Sequence, residues 1–340
     1  MKQKMRGIAR ILACLFCAIC ASMLGACTQE ISKEIQVYAP DGAPALSIAK
    51  LLQEDTQGDG VTYTVVNAKT IDVYVTGETP KADVCILPLN TASKFLGDGN
   101  TYALCGIVTH GNLYMLSTQS TVYTTENLSF LIGKTVGVVQ LANVPGLTFK
   151  IILNKLGLPW AELKNDQTPS PDVINVKAIS VDAVSPATQG IDVFVAPEPA
   201  ASVKAEKTSL EFVGDLQALY NEQKGYPQAA LVIKKSLIQD NPAWVEGFLK
   251  EVEENAKTLS ARTQVSEIQA ICNAVQSHLT QGLSPTLTAQ SLTSNAINNS
   301  GVRFEAALAY IVQITEFLQQ MISVQDGAAS LIEDKFYYGS

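Results

Sequence analysis

The sequence predicts an α/β protein with two doubly wound lobes, and three observations support this fold class. A β-branched run at residues 136–139 is followed by a short loop and then by apolar residues at helical spacing. The same order of strand, loop and helix start recurs from Ile35 and from Asp83. Strands that are apolar on both faces and alternate with helices are typical of parallel-rich sheets covered by helices. A chain of 340 residues exceeds one usual hydrophobic core, so two lobes are expected.

The clearest of these units covers residues 134–160. Asn143 stands at the expected N-cap of its helix, and Pro145 falls in the first turn, where a missing N–H group costs nothing. Gly157, followed by Pro159, predicts the end of the helix. One face of the helix is apolar, at Phe149, Ile152, Leu153 and Leu156. Loops of this kind present the free N–H groups of a helix start, so the sequence predicts a ligand cleft at the carboxyl ends of the strands.

Shorter patterns predict the other elements. Strands are expected at residues 35–38, 61–67, 71–75, 83–87, 102–108, 113–117, 174–179, 191–195 and 229–234. Helices are expected at residues 46–53 and, beyond the last strand, at 242–252, 266–279, 287–298 and 303–321. The strand at 113–117 is expected to leave the first lobe and the strand at 229–234 to return to it. Two segments would therefore cross between the lobes.

The N-terminal residues have the features of a secretory leader. Four basic residues precede an apolar segment at 11–23 that is too short for a comfortable membrane span. The next four residues, Leu-Gly-Ala-Cys at 24–27, match the lipobox of bacterial lipoproteins. This match implies that residues 1–26 are a signal peptide, that Cys27 carries lipid such as palmitate, and that residues 27–34 are a polar tether. The alternative is an ordinary signal peptide in which the cysteine occurs by chance.

Charge limits the partners that the processed chain can have. The leader carries four of the 24 Lys and Arg residues and none of the 32 Asp and Glu residues, so the remainder has a net charge of −12. Such an acidic chain argues against nucleic acid or an anionic membrane surface as a partner. No later stretch reaches transmembrane length, so lipid alone would hold the protein at the membrane, outside the cytoplasm.

The residues that most often carry catalysis are sparse. Cys85, Cys105 and Cys272 remain beside Cys27 after the leader is removed, and their pairing cannot be read from the sequence. The chain has two histidines, and no GxSxG, HExxH, Walker or Rossmann glycine pattern occurs after the leader. The sequence therefore predicts a protein that is not an enzyme and that holds no metal and no cofactor.

Three motifs follow the lipobox in a fixed order: Tyr-Ala-Pro-Asp-Gly-Ala-Pro-Ala at 38–45, Gly-Lys-Thr-Val-Gly-Val at 133–138, and the segment at 191–201. In this order they resemble the ABC-transporter substrate-binding proteins of the nitrate/sulfonate/taurine and thiamine-precursor type, over nearly the whole processed chain. The resemblance implies a monomer with the type 2 periplasmic-binding-protein fold. Two lobes joined by two crossing segments would close on a ligand in the cleft between them, and the closed form would be presented to an ABC permease.

The resemblance also implies lobe boundaries and cleft residues. Lobe 1 would comprise residues 30–115 and 230–340, and lobe 2 residues 116–229. The implied ligand-binding residues are Asp41, Gly42, Ala43, Asn90, Thr91, His110, Asn112, Gln140, Asn143, Gly146, Glu198, Tyr226 and Gln228. Several of them have a simpler structural interpretation, because Asn143 can be a helix cap, Asp41 a turn residue and His110 an exposed turn residue.

The sequence also constrains the chemistry of the ligand. The processed chain has two arginines, Arg262 and Arg303, both in predicted C-terminal helices. A sulfonate or nitrate site would favour a guanidinium group, although a helix N-terminus alone can hold an anion. With Asp41 and Glu198 at the cleft, we expect a small neutral or cationic polar ligand, such as an amine or an aromatic heterocycle, with a sulfonate-type anion as the alternative.

Two other functions remain open at this point. A lipoprotein of the same fold could report its ligand to a membrane receptor instead of a permease. An enzyme related to the thiamine-pyrimidine synthases is a further alternative, but that chemistry uses a cysteine cluster and a histidine, and the processed chain has no such cluster.

Overall fold

The computed structural model describes residues 34–55, 60–98, 101–221, 225–262 and 264–339. Residues Ile35–Ser340 form one compact unit. The expected leader, the lipidation site at Cys27 and the tether up to residue 33 lie outside the described residues and stay predictions. Within the described residues, no helix is both long enough and apolar enough to span a membrane.

The first sheet is mixed and has six strands. It comprises β1 (Ile35–Pro40), β2 (Val61–Val66), β3 (Val84–Pro88), β4 (Tyr102–Thr109), β11 (Ala229–Lys234) and β12 (Val302–Ala306). The spatial order is β12-β4-β11-β3-β1-β2. Strand β1 pairs in parallel with β2 and β3, whereas β11 is antiparallel to β3 and β4, and β12 is antiparallel to β4.

The second sheet also has six strands. It comprises β5 (Leu113–Ser117), β6 (Thr135–Val139), β7 (Trp160–Glu162), β8 (Ile174–Ile179), β9 (Val193–Pro197) and β10 (Glu211–Asp215), in the order β10-β5-β9-β6-β8-β7. The four strands from β9 to β7 are parallel, and β5 pairs antiparallel with β9 and β10. The predicted fold class, α/β with two doubly wound sheets, is therefore confirmed.

Helices cover the sheets and connect their strands. They are α1 (Ala43–Leu46), α2 (Ala49–Glu54), α3 (Leu89–Asp98), α4 (Val144–Lys155), α5 (Ala200–Lys207), α6 (Leu216–Asn221), α7 (Lys235–Asp240), α8 (Pro242–Leu259), α9 (Val265–Ser277), α10 (Ser294–Asn299) and α11 (Ile311–Val324). Short 3₁₀ helices occur at Ala68–Tyr74, Leu128–Leu131, Val181–Ala183 and Asp334–Phe336.

The chain changes sheets at two short segments. Residues 110–112 lead from β4 in the first sheet to β5 in the second, and residues 225–228 lead into β11, which returns to the first sheet. The two segments lie side by side: the Gln228 N–H donates to the Thr109 carbonyl, and the Gln228 amide donates to Asn112 Oδ1 at 2.8 Å. The chain passes from one sheet to the other at the positions where the crossing segments were expected. The lobe boundaries themselves stay predictions.

Three predicted elements were wrong. Residues 71–75 form part of a 3₁₀ helix, not a strand; Asn67 caps this helix by accepting a hydrogen bond from the Lys69 N–H group. The helix predicted at 287–298 begins only at Ser294, where Thr293 caps it. Residues 303–306 of the helix predicted over 303–321 belong to β12 instead, because they pair with β4 and so satisfy backbone groups of both strands; the helix α11 begins at Ile311.

Two smaller differences are a helix that is divided in two and a short strand that was not predicted. The helix expected over 46–53 is divided into α1 and α2, with a turn at Ser47 and Ile48. Strand β7, three residues long, was not predicted; it adds to β8 at the edge of the second sheet. Both features depend on tertiary contacts, which a local sequence pattern does not contain.

Candidate functional site

A cavity of about 1000 Å³ lies where parallel strands of both sheets end. Strands β1 and β2 of the first sheet and β6, β8 and β9 of the second each lead into it. The residues that follow these strands line the cavity: Asp41, Asn67, Gln140, Ser180 and Glu198. This is the position at which open α/β sheets bind ligands, and the volume suits a small molecule.

The cavity contains most of the residues implied by the sequence. Eight of them line it: Asp41, Gly42, Ala43, Asn112, Gln140, Asn143, Glu198 and Gln228. Five do not: Asn90, Thr91, His110, Gly146 and Tyr226. The expected loops therefore meet at one place, while contact of any of these residues with a ligand stays a prediction.

Asp41 is the acidic residue on the first-sheet side of the cavity. Its Oδ2 accepts a hydrogen bond from the Thr286 N–H group, which fixes the loop after α9 against the end of β1. Its Oδ1 is buried without a hydrogen-bond partner among the described residues. Burial raises the pKa of this carboxyl, and the hydrogen bonds from Thr286 oppose that rise. A ligand that donates a hydrogen bond or carries a positive charge would compensate this carboxylate.

Glu198 lies on the second-sheet side and is held firmly by the protein. Only 2% of its surface is exposed, and its carboxylate accepts hydrogen bonds from the Ser202 N–H at 3.0 Å and the Ser202 hydroxyl at 2.8 Å. Asn299 adds a longer hydrogen bond at 3.4 Å. Burial raises the pKa of Glu198, and these hydrogen bonds oppose the rise. Glu198 therefore also has a structural role, because it satisfies the start of α5.

A polar chain joins the crossing segments to this wall. The Asn112 amide donates to the Glu198 carbonyl at 3.3 Å, and the Glu198 N–H donates to the Asn112 carbonyl at 2.8 Å. The Gln228 amide in turn donates to Asn112, while Gln228 Oε1 is buried without a partner among the described residues. The cavity thus offers a hydrogen-bond acceptor beside the crossing segments.

The loop between β6 and α4 has a constrained backbone. Gln140 has a positive φ of 55°, which is unusual for a residue with a side chain and often marks a binding site. Asn143 occupies the N-cap position of α4, but its side chain makes no capping hydrogen bond; its Oδ1 instead faces the Asn90 amide at 3.5 Å. The cap interpretation is therefore correct for the position of Asn143 and wrong for its side chain.

The implied residues outside the cavity have identifiable structural roles. Gly146 faces the preceding loop, where a Cβ atom would overlap the Leu141 carbonyl. Tyr226 is fully buried and donates its hydroxyl to Gln217. Asn90 is 1% exposed and contacts Asn143 and the Ala328 carbonyl, and Thr91 follows it in α3.

His110 is also outside the cavity, and it is buried instead of lying exposed at a turn. It is 3% exposed and meets the Tyr310 ring edge-on, with 5.3 Å between ring centroids. Burial, together with the positive charge of Arg303, lowers the pKa of His110 to about 3. His110 is therefore neutral at physiological pH and is a buried residue of the first crossing segment.

Sequence reasoning missed the most buried charge at the cavity, Lys150. This residue lies on α4 and lines the cavity although its side chain is only 1% exposed. Its ammonium group contacts the carboxylate of Glu162 and donates a hydrogen bond to Gln325 Oε1 at 2.8 Å. A lysine inside the apolar run 147–153 was the available signal. Other lining residues that were not expected include Asn67, Lys69, Glu162, Asp182, Thr286 and Gln325.

The cavity wall carries more acidic than basic groups. Its carboxylates are Asp41, Glu162, Asp182 and Glu198, and its basic residues are Lys69 and Lys150; no arginine is among the described lining residues. In the part of the chain that the structure describes, no three His, Cys, Asp or Glu residues are placed to hold a metal ion. Cys85, Cys105 and Cys272 are free thiols and buried, and burial raises the pKa of each.

Solved structures share this architecture. A crystal structure of an ABC transporter protein from Parabacteroides distasonis matches with a TM-score of 0.65 at 16% identity, over 90% of this chain and 99% of that one. The periplasmic aliphatic sulphonate-binding protein SsuA from Escherichia coli matches with a TM-score of 0.64 at 11% identity, over 90% and 92% of the two chains. No protein-family model and no curated protein matches the sequence.

The same fold also occurs in an enzyme. The desulfurization enzyme DSZB matches with a TM-score of 0.54 at 12% identity, over 90% of this chain and 96% of that one. At identities this low the likeness establishes the fold, and the function has to be argued from the cavity. The chain has the two-sheet fold of these periplasmic binding proteins, as the resemblance in the sequence predicted.

Proposed function

We propose that the protein is an extracytoplasmic solute-binding protein that captures a small polar molecule and delivers it to an ABC permease. The observation that carries the proposal is the cavity at the carboxyl ends of parallel strands from both sheets. A ligand there would contact residues of both sheets, so it would stabilise the arrangement in which the two sheets approach each other. Lipid on Cys27 would hold the protein at the outer face of the cytoplasmic membrane.

The cavity wall favours a neutral or cationic ligand. Asp41 offers a buried carboxylate oxygen that has no hydrogen-bond partner among the described residues, and Gln228 offers a buried carbonyl oxygen. Both are acceptors, so they suit the N–H groups of an amine or a heterocycle. A purely anionic ligand such as a simple sulfonate is the alternative, for which the start of α4 would supply N–H groups.

The properties of the free thiols in the described residues favour a binding protein over an enzyme that uses a cysteine nucleophile. Burial raises the pKa of all three free thiols, which keeps them protonated and weakly nucleophilic at neutral pH. None of the three lines the cavity. A sensing role differs from transport only in the partner that reads the closed form: a permease and an ATPase encoded beside the gene would indicate transport, and a sensor kinase would indicate sensing.

A thermal-unfolding panel tests the proposal. The chain from residue 28 onward, without Cys27, would be screened against amines, polyamines, pyrimidines, thiamine, amino acids, nitrate and sulfonates. A ligand at a hundred times its Kd adds about 2.7 kcal/mol, which raises the Tm by several degrees. A shift confined to one chemical class would name the ligand class. If no compound in the panel shifted the Tm of protein that had been refolded to remove bound ligand, the proposal would lose its support.

A further inference from the structure

Lys150 and Glu162 form an ion pair in the cavity wall whose two members are buried very differently. The Lys150 side chain is 1% exposed, whereas the Glu162 side chain is 50% exposed. Both residues line the cavity. A buried ammonium group is stable only with a counter-charge, while an exposed carboxylate is well solvated on its own. The pair is therefore far more important to Lys150 than to Glu162.

The other contacts that Lys150 makes with described residues do not supply that counter-charge. Gln325, which follows α11, accepts one hydrogen bond from the ammonium group at 2.8 Å. The centroid of the Trp160 ring lies 5.5 Å from Lys150 Nζ, within the range of a cation–π contact. An ammonium group has three donors, and Glu162 and Gln325 account for two of them. Lys150 thus keeps capacity for an acceptor that comes from the cavity.

Glu162 lies at a position from which its side chain can leave Lys150 without disturbing the sheet. It is the last residue of β7, a three-residue strand at the edge of the second sheet, and it pairs only with β8 there. Turning its side chain into solvent would break no element of the sheet. An oxyanion that entered the cavity could then take over the contact with Lys150, and the charge of the buried lysine would stay compensated throughout.

We propose that Lys150 is an oxyanion-binding subsite of the cavity and that Glu162 occupies this subsite when no ligand is bound. The inference rests on the proposed function and narrows its ligand class to small molecules that carry a carboxylate, sulfonate or phosphate group. Because Asp41 supplies an acidic group on the other side of the same cavity, the ligand would also carry a donor or cationic group. The complete ligand is then a zwitterion, which is neutral overall and so agrees with the acidic cavity wall.

Tryptophan fluorescence gives a readout that does not require the complete ligand. The chain has two tryptophans, Trp160 in β7 and Trp244 in α8. Trp160 is two residues from Glu162, and its indole N–H donates to Asn154 at 2.7 Å. In the full chain carrying Trp244→Phe and purified in detergent, emission reports on Trp160 alone. The probes are sodium acetate, methanesulfonate and inorganic phosphate, with sodium chloride at matched ionic strength as the reference.

The expected result is a saturable change of Trp160 emission with an oxyanion and not with chloride. Glu162→Gln should lower the Kd roughly two- to fivefold, because a competing ion pair with a half-exposed carboxylate is removed. Lys150→Met should abolish the response. Lys155→Met is the matched control: Lys155 lies on the same helix, over the Tyr220 ring and outside the cavity, so its loss should leave the response unchanged.

The outcomes separate this subsite from the proposed function. If Glu162→Gln leaves the oxyanion Kd unchanged or raises it, the ion pair only holds β7 against α4, and the subsite is disproved. This comparison also decides the matter if Lys150→Met does not fold. If no oxyanion changes Trp160 emission while an uncharged or cationic compound raises the Tm in the panel above, the subsite fails and the solute-binding function stands.

Discussion

Gly146 shows how tightly single residues constrain the start of α4. A side chain at this position would overlap the Leu141 carbonyl of the loop that lines the cavity. Gly146→Ala should therefore displace that loop and lower the free energy of unfolding by about 1–3 kcal/mol, as overpacking does. Gly247→Ala, in the interior of α8 with open space around it, should instead raise stability by about 0.5–1 kcal/mol.

Urea denaturation of the two variants measures whether the free energy of unfolding falls in Gly146→Ala and rises in Gly247→Ala. If Gly146→Ala were as stable as the unaltered protein, the loop would adapt to a Cβ atom, and the close approach of Gly146 and Leu141 would not be what fixes the cavity wall. If Gly247→Ala were also destabilising, helix propensity would not determine stability at this position of α8, and the two variants would not differ in sign.

Asn143 and Glu198 both line the cavity, but their replacement should have different consequences. Glu198→Ala removes the acceptor for the Ser202 N–H and hydroxyl groups, so it should cost about 1–3 kcal/mol of stability as well as affinity. Asn143→Ala loses no capping hydrogen bond and should weaken ligand binding with little loss of stability. The measurement is ligand affinity by calorimetry beside the Tm of each variant. Unchanged affinity in both variants would contradict the predicted map of the cavity.

His110 should make the protein less stable in acid. Burial lowers its pKa from 6.5 to about 3, so between these values the unfolded chain binds the proton and the folded chain does not. Stability is therefore complete above pH 6.5 and falls as the pH decreases toward 3, by at most about 1.4 kcal/mol per pH unit. His110→Phe should flatten this part of the stability curve.

The test of His110 has to compare the variant with the unaltered protein, because other buried groups also make stability depend on pH. Burial raises the pKa of Asp41 and Glu198, and raised carboxyl pKa values favour the folded state as the pH falls. Both carboxyls are present in the variant as well, so the difference in Tm between the two proteins from pH 7 to pH 4 isolates His110. A constant difference over that range would show that His110 titrates alike in both states.

The sequence pattern alone locates cavity residues best where they follow the end of a strand. Asp41, Gln140 and Glu198 each follow a buried strand, and their meeting place is a consequence of parallel sheets. Lys150 was missed because it does not follow the end of a strand in the sequence and occurs in an apolar helix segment. His110 was misjudged because a turn histidine gives no local sign of the Tyr310 ring and β12 that bury it.

Helices and strands with a regular apolar pattern were predicted well, and those that depend on a partner were not. β6 and α4 follow from β-branched residues, from Pro145 and from Gly157. In contrast, residues 303–306 were expected to be helical, and they form part of β12 because they pair with β4. Pairing with a strand that is distant in the sequence stabilises this segment more than its weak local preference for a helix does.

Asn255 shows how one side chain can fix two helices of another segment. It is fully buried in α8; its Oδ1 accepts from the Lys50 N–H and its amide donates to the Leu46 carbonyl, both at 2.9 Å. These are the backbone groups left free where α1 ends and α2 begins. Asn255→Leu should therefore leave both buried groups without partners and cost about 1–3 kcal/mol or more.

The matched control for Asn255 is its exposed neighbour. Glu254→Ala changes the same turn of α8 on the solvent side and should stay within about 0.5 kcal/mol of the unaltered protein. Urea midpoints of both variants are the measurement. Equal stability of Asn255→Leu and the unaltered protein would mean that the break between α1 and α2 does not depend on this amide.

Across the described residues, the two sheets are joined by one large hydrophobic cluster, while a smaller separate cluster that includes Leu116 and Phe194 packs on the second sheet. Leu104 of the first sheet and Val136 of the second belong to the same buried cluster, to which Tyr226 and Phe317 also belong. The arrangement of two sheets could be predicted from the repeated strand–loop–helix units. The continuity could not, because it depends on α11, a C-terminal helix that contacts α4 beneath the second sheet and α3 beneath the first.

Phe317 in α11 is the residue on which this continuity can be tested. Its ring stacks on Tyr226 and meets Tyr220 edge-on, each with 5.5 Å between ring centroids, and the side chain is fully buried. Phe317→Ala should cost about 3–5 kcal/mol. Because the core is shared, calorimetry should show one transition for both proteins, shifted as a whole to lower temperature in the variant. Val312→Ala, at a 60% exposed position of the same helix, should leave the transition in place. Two separate transitions, of which Phe317→Ala moves only one, would show that the sheets unfold independently and that α11 belongs to one of them alone.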